Sequence, residues 1–279
     1  MMPREHVAIS YGFLALAAMM IFFTVFDQYN PGLDLKTFLV LLAIPFAAVV
    51  LAGPRGNWAA IMCDITQPMC SALVLIGITQ MLLDLSDPAM LGPAYAVALL
   101  PPLCGLAFVG IASPYRAEEE TYDYGPARKV AALLIIWAAL LFTIFSREGA
   151  EIFLNQFALI FTLGGVLLFH ALDRLRSGSP EGAWRDRFLG LGAVAFIYGT
   201  SLMLRDINDP KSVGPAMAMA LLTLIYALTL ILSCRILVPG SITRSSIGGA
   251  GITFLNTSLP ILFGCLIHVL ILIISMQDI

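Results

Sequence analysis

Residues 203–222 read MLRDINDPKSVGPAMAMALL, and residues 81–100 read MLLDLSDPAMLGPAYAVALL. The two stretches lie at a constant offset of 122 residues, and 12 of their 20 aligned positions are identical. Asp84, Asp87, Pro88, Gly92 and Pro93 recur as Asp206, Asp209, Pro210, Gly214 and Pro215. Gly77 and Gly199 extend the match upstream. Shared hydrophobicity does not produce this, because Asp, Pro and Gly are scarce in the flanking apolar runs. Self-similarity at a fixed spacing is the signature of an internal repeat. Each copy reads as a helical hairpin. Asp-Pro makes the turn, since proline presets φ and aspartate bonds nearby backbone N–H groups. Gly-Pro then begins the next helix, where the missing N–H would have no partner anyway. Ala94 and Ala98, like Ala216 and Ala220, stand four residues apart on one face. Small residues there let helix backbones approach closely in lipid. A tight hairpin with a packing stripe accounts for this pattern by itself, without any chemistry.

The rest of the chain fits a membrane setting. Of its 279 residues, 59% are hydrophobic and 12% charged, and the mean hydropathy is +0.92. A soluble domain carries roughly 25% charged residues. That gap excludes a soluble enzyme, a disordered chain and a nucleic-acid binder, which needs a dense basic field. The net charge of −3 selects no partner. Apolar runs occupy about 8–26, 36–53, 69–85, 91–113, 130–146, 152–172, 187–204, 213–237 and 258–277. Each is long enough, or nearly so, to cross a hydrocarbon core as a helix. The runs are continuous rather than alternating, so helices rather than barrel strands satisfy their backbone in lipid. The predicted fold is all-α, a polytopic helical membrane protein of about nine transmembrane helices with the lipid bilayer as its surroundings.

The repeat divides these spans into residues 1–125 and 126–245, four helices each, with 246–279 supplying a ninth, C-terminal helix. Four crossings is an even number, so both halves point the same way, unlike the inverted repeats of many transporters. Placing the N-terminus in the cytoplasm puts 11 of the 15 Lys and Arg residues on the cytoplasmic side, Arg55, Arg128, Arg185 and Arg235 among them. Only Lys36, Arg147, Arg205 and Lys211 fall outside, a positive-inside bias expected of a bacterial inner-membrane protein. The first run has Arg4 before it and Ala15-Leu16-Ala17 within it. Its apolar stretch passes through that triplet to Phe26, so it reads as a span and not as a leader. Residues 245–254 are Gly-rich and read equally as a loop or a surface-lying segment.

Candidate chemistry is sparse. The five cysteines form no CxxC or Cys/His cluster and read as small packing residues. His268 lies in the middle of the ninth run, and His170 near the end of the sixth. An intramembrane ionisable group is costly unless used, although a neutral histidine also serves as a hydrogen-bonding core residue. The paired aspartates read as turn caps or as a cation-attracting mouth, and Glu118-Glu119-Glu120 as a solvated loop run. No phosphate-binding, nucleophile-elbow, zinc-protease or dinucleotide motif occurs in a usable context. Neither an enzyme activity nor a cofactor is expected.

The DP-x-x-[IV]-GPAMAVALL pattern, seen at Asp209–Leu222 and nearly as well at Asp87–Leu100, resembles the MotA/TolQ/ExbB proton-channel family. The resemblance is strongest to its flagellar stator branch, the MotA-like proteins. Phe153 to Gly165, with the Gly164-Gly165 pair, is similar to the start of that family's second helix; the first half has Ile44-Pro45 there instead. The resemblance implies a ring of subunits around single-span, MotB-like membrane partners, whose membrane aspartate takes up and releases a proton or sodium ion. Hydroxyls on the third and fourth helices would line the path. By that resemblance Thr223 lines it, with Thr200 a weaker candidate, and Pro215 and Pro93 shape the helix starts.

The chain departs from the pattern in three places. The large cytoplasmic insert is replaced by about 15 residues near 54–68 and 173–187, so rotor engagement of the family kind is not expected. The third-helix threonine position falls on Val74 and Phe196. The Thr-Thr pair after ALL becomes Pro101-Pro102 in the first half and Thr223-Leu224 in the second. The expected function is a membrane subunit of a stator-like ion-motive complex, in an oligomer or hetero-complex. A non-conducting scaffold of the same descent, or a small-solute transporter, are the alternatives, the last hinted at by Pro45 and Pro101-Pro102.

Overall fold

The computed structural model describes residues 35–53, 57–83, 98, 100–112, 115, 124–145, 150–175, 184–205 and 210–237. Among these the chain is entirely helical: α1 (Leu35–Ala52), α2 (Trp58–Leu83), α3 (Leu100–Ala112), α4 (Pro126–Phe145), a 3-10 turn (Ala150–Leu154), α5 (Gln156–Leu175), α6 (Trp184–Arg205) and α7 (Pro210–Leu237). They correspond to seven of the nine apolar runs. The first and ninth runs, with His268, lie outside the described residues. Three stretches, Trp58–Met81, Pro126–Phe145 and Ala220–Leu237, are long and apolar enough to cross a membrane, and four other helices carry shorter apolar stretches. This is a helical membrane protein.

Two helix starts differ from expectation. α2 begins at Trp58 rather than near residue 69, because Asn57 caps it: its Oδ1 accepts the Ala60 N–H at 3.1 Å. An N-cap side chain satisfies one of the four orphan donors of the first turn. The link from α1 is therefore far shorter than the expected 54–68. α7 begins at Pro210, not at Gly214-Pro215. Proline is well placed as a first helical residue, and Pro215 then falls in the second turn. Pro101-Pro102 lie in α3, and Ala98 just before it is also helical. Pro45 and Pro68 lie inside α1 and α2, and both helices run on through them.

α2 is the hub. It packs on α1, α3 and α7, and 83% of its apolar window is buried, against 22% for α4, which lies at the periphery against α1. The outward face of α4 carries Leu134, Leu141 and Phe145, all exposed. In a membrane protein such a face meets lipid. Side-chain contacts fix which ends lie together. Arg235, in the last turn of α7, donates from Nη1 to the Asp64 carbonyl in the second turn of α2. The ring of Trp58 lies 6.0 Å from that of Tyr115. Gly53, at φ 62°, ends α1 in the left-handed region, which glycine adopts without a Cβ penalty. The Arg128 guanidinium at the start of α4 occupies the space a Cβ would need. At the other end, Gln80 Nε2 donates to the Thr143 carbonyl at 3.0 Å, and Tyr226 donates to the Phe153 carbonyl. α2 and α7 are thus antiparallel, as are α6 and α7. It follows that α2 and α6 run in the same direction, with their C-terminal ends at one end of the bundle.

Candidate functional site

The two hairpins cross at equivalent points. Gly77 on α2 faces Ala98: a Cβ at Gly77 would lie 3.0 Å from the Ala98 Cβ and 3.3 Å from its Cα. Gly199 on α6 faces Ala220 in the same way, with the Ala220 Cα only 2.8 Å from such a Cβ. Both residues of each pair differ by 122 from their counterparts. On α6 the inward stripe continues through Ala195, Gly192 and Phe188, all buried. A Cβ at Gly192 would meet Leu224 and Ala227 of α7. Close backbone approach through small residues replaces the hydrophobic drive that lipid removes.

The expected path residues flank this second crossing. Thr223 is buried on α7, one turn beyond Ala220, and its Oγ1 donates to the Ala220 carbonyl at 2.9 Å. Thr200 follows Gly199 on α6, half-buried, with Oγ1 donating to the Phe196 carbonyl at 2.8 Å. Each hydroxyl spends its proton within its own helix, so what it offers outward is lone pairs, which suit a cation or a donating water. Val74 is 2% exposed and Phe196 half-buried; neither offers a ligand atom. Pro215 lies in α7, and Pro93 lies outside the described residues, as do Asp84, Asp87, Asp206, Asp209 and Glu118 to Glu120.

A separate cavity of about 290 Å³ opens between α2, α4, α5 and α7. Its wall is mainly apolar, with Thr162, Tyr226 and Thr229 as its polar members. Neither Thr223 nor Thr200 lines it. The hydroxyls of Thr162 and Thr229 donate to the Ala158 and Ile225 carbonyls, both at 2.8 Å.

Sequence reading missed Asp64, because it placed that residue in a loop. In the structure it belongs to the Trp58–Met81 stretch. Pro68, four residues on, has no N–H to give the Asp64 carbonyl; Arg235 supplies the donor instead. The proline was the available signal, since a mid-helix proline frees the carbonyl four residues before it and calls for an outside partner. Tyr124, just before α4, belongs to the same end. Its burial, and secondarily the charge of Asp64, push its phenol up to about 12. Among the described residues, no group of three or more His, Cys, Asp or Glu side chains is placed to hold a metal ion.

The fold and this hairpin define a helical membrane protein with a small-residue crossing beside buried hydroxyls. Its relatives are named as motility and chemotaxis proteins. The chain is 52% identical over 44 residues to motility protein A of Cereibacter sphaeroides, which is 16% of this chain and 17% of that protein. It is 25% identical over 205 residues to the chemotaxis protein PomA of Vibrio alginolyticus, covering 70% of this chain and 74% of that protein. Motility protein A of Aquifex aeolicus matches at 44% over 41 residues, 15% of this chain and 16% of that protein. The strongest identities thus span about a sixth of the relatives concerned, and the broad match is more distant. No family model matches the chain, and no solved structure matches it. These relatives support the MotA-like resemblance.

Proposed function

We propose that this chain is a membrane subunit of a stator-like ion-motive complex, formed from two MotA-like halves. A single-span, MotB-like partner supplies the titrating acid, and the chain supplies helices that line the path. The carrying observation is the α6–α7 crossing, where Gly199 and Ala220 bring two helices together beside Thr223. Its match to the Gly77–Ala98 crossing at the same offset supports the duplication, and the motility-protein relatives support the class. On this reading the chain resides in the bacterial inner membrane with its N-terminus in the cytoplasm. Thr223 offers its lone pairs to a hydrated cation or proton relay, Thr200 is the second hydroxyl, Pro93 shapes its helix start, and Pro215 sits in the second turn of α7.

The test is ion flux in vesicles holding the chain together with a single-span membrane protein that carries an intramembrane aspartate. Flux is expected only with both present. Thr223→Val, which keeps shape and loses the hydroxyl, abolishes most of it, and Thr223→Ser restores it. Unchanged flux in Thr223→Val removes that residue from the path.

One set of observations favours a second reading, a scaffold that retains the packing and does not conduct. The third-helix positions hold Val74 and Phe196, and the described cavity is mainly apolar. In that case the flux assay reads zero with the partner present, while the two proteins still purify together.

A further inference from the structure

The cavity between α2, α4, α5 and α7 takes no part in the path proposed for Thr223. Two hydrogen bonds between elements bracket it. At one end Trp137 Nε1 of α4 donates to Ser233 Oγ of α7 at 3.1 Å. At the other, Tyr226 of α7 donates to the Phe153 carbonyl in the 3-10 turn. The α4 wall runs from Trp137 to Phe145, about 12 Å by helical rise. That fits within one leaflet, half of a hydrocarbon core of about 30 Å.

The cavity has a floor and a mouth. Ile76, Leu140, Thr162 and Ile225 form the floor, each at most 4% exposed. Leu141 and Phe145 of α4 and Leu159 and Leu163 of α5 line the same cavity and are all exposed. They form the mouth, on the side of α4 that meets lipid.

The chemistry of the wall selects the occupant. The side chains on it that own a polar hydrogen are Trp137, Thr162, Tyr226 and Thr229. All of them donate inside the protein, to Ser233, Ala158, Phe153 and Ile225 in turn. A carboxylate, phosphate or quinone oxygen would find no donor among them. The rest of the wall is hydrocarbon. The volume of about 290 Å³ is room for about ten groups of roughly 30 Å³, the share of one water in the liquid and close to that of one methylene. A membrane-crossing helix runs on past both hydrogen-bonded ends, so it can cover the mouth but cannot fill the space behind it. What enters is thin and apolar, and it ends inside.

We propose that this cavity binds one acyl chain of a membrane phospholipid, which enters sideways between α4 and α5 and leaves its headgroup at the membrane surface. The chain packs on Ile76 and Ile225 and joins α4 and α5 to the α2–α7 core. The proposal depends neither on ion conduction nor on the duplication.

The test places the full chain in vesicles of phosphatidylethanolamine and phosphatidylglycerol that contain a phospholipid with a diazirine low in one acyl chain. After illumination, adducts are mapped by mass spectrometry. Ile76 and Ile225 are expected to carry adducts, as is Leu134 on the outer face of α4. Ile44 and Ile61, 0% exposed and not on the cavity wall, are expected to carry none. Leu163→Trp at the mouth and Thr229→Phe on the wall are each expected to remove the adducts at Ile76 and Ile225 and to leave those at Leu134. Bare Ile76 and Ile225 beside a labelled Leu134 overturn the proposal, since protein or nothing then fills the cavity. Adducts at Ile44 and Ile61 also overturn it, because the whole interior would then be open to lipid. So do floor adducts that persist in both folded variants. A free fatty acid with the same diazirine is the second probe; if it labels the floor and the phospholipid does not, the assigned source is wrong. The measurement on the parent protein needs no substitution and decides alone if neither variant folds.

Discussion

Replacing Gly199 by alanine is the sharpest probe of how α6 and α7 are held. The new methyl would run into the Ala220 Cβ and sit 2.8 Å from the Ala220 Cα and 3.0 Å from its N, backbone atoms that have no rotamer to change. That is about 0.6 Å short of ordinary contact, and a separation of that size forfeits a quarter or more of each dispersion well along the seam. Overpacking of this kind costs roughly 1–3 kcal/mol, and rigid backbone on the receiving side puts it near the top. Alanine returns about 1 kcal/mol through helix propensity, leaving a net loss of about 2 kcal/mol. Gly77→Ala meets milder contacts, 3.0 Å to the Ala98 Cβ and 3.3 Å to its Cα, so its cost and gain nearly cancel. At Gly164, mid-helix in α5, a Cβ would find nothing within 4 Å, and Gly164→Ala is expected to stabilise by up to about 1 kcal/mol. Unfolding by sodium dodecyl sulfate in mixed micelles, followed by circular dichroism, measures all three. The expected order of stability is Gly164→Ala, then Gly77→Ala, then Gly199→Ala. A Gly199→Ala protein as stable as the parent refutes the close approach of α6 and α7.

The Arg235 contact to the carbonyl left open by Pro68 predicts a coupling. Arg235→Ala is expected to cost about 1 kcal/mol more in the parent than in a Pro68→Ala background, where alanine restores the N–H; a double-mutant cycle in the same assay reads this, and no coupling would refute it. Tyr124 predicts a pH effect. Its phenol is raised from 10 to about 12 in the folded state, so the folded protein holds the proton that the unfolded chain releases. Its contribution is complete below pH 10 and is lost as the pH climbs through about 12, by proton linkage. Thermal melts between about pH 9 and 12 should fall with rising pH, and Tyr124→Phe should flatten that fall.

How much was legible in the sequence varied with the kind of signal. Long apolar runs mark helices because lipid leaves the backbone no other partner, so all seven runs within the described residues appear as helices. Helix starts were harder to read. Apolarity begins near residue 69, but a helix begins where its first N–H groups find acceptors, and Asn57 provides one well before that point. Asp64 thereby moved from a supposed loop into α2, where its carbonyl ties the helix to Arg235. Likewise Pro210 starts α7, although Gly214-Pro215 was the stronger written signal.

Composition was enough to determine a helical membrane protein, and the copied DP-to-ALL segment is plain in the sequence, because hydropathy and residue identity are local properties of the chain. Which faces meet was decided only in three dimensions. α2 and α6 lie at the same offset of 122 residues, yet at equivalent positions one is enclosed by neighbouring helices and the other stands bare on one side. The reason is that burial belongs to the neighbours a helix acquires, and only the folded chain brings α7 against α2.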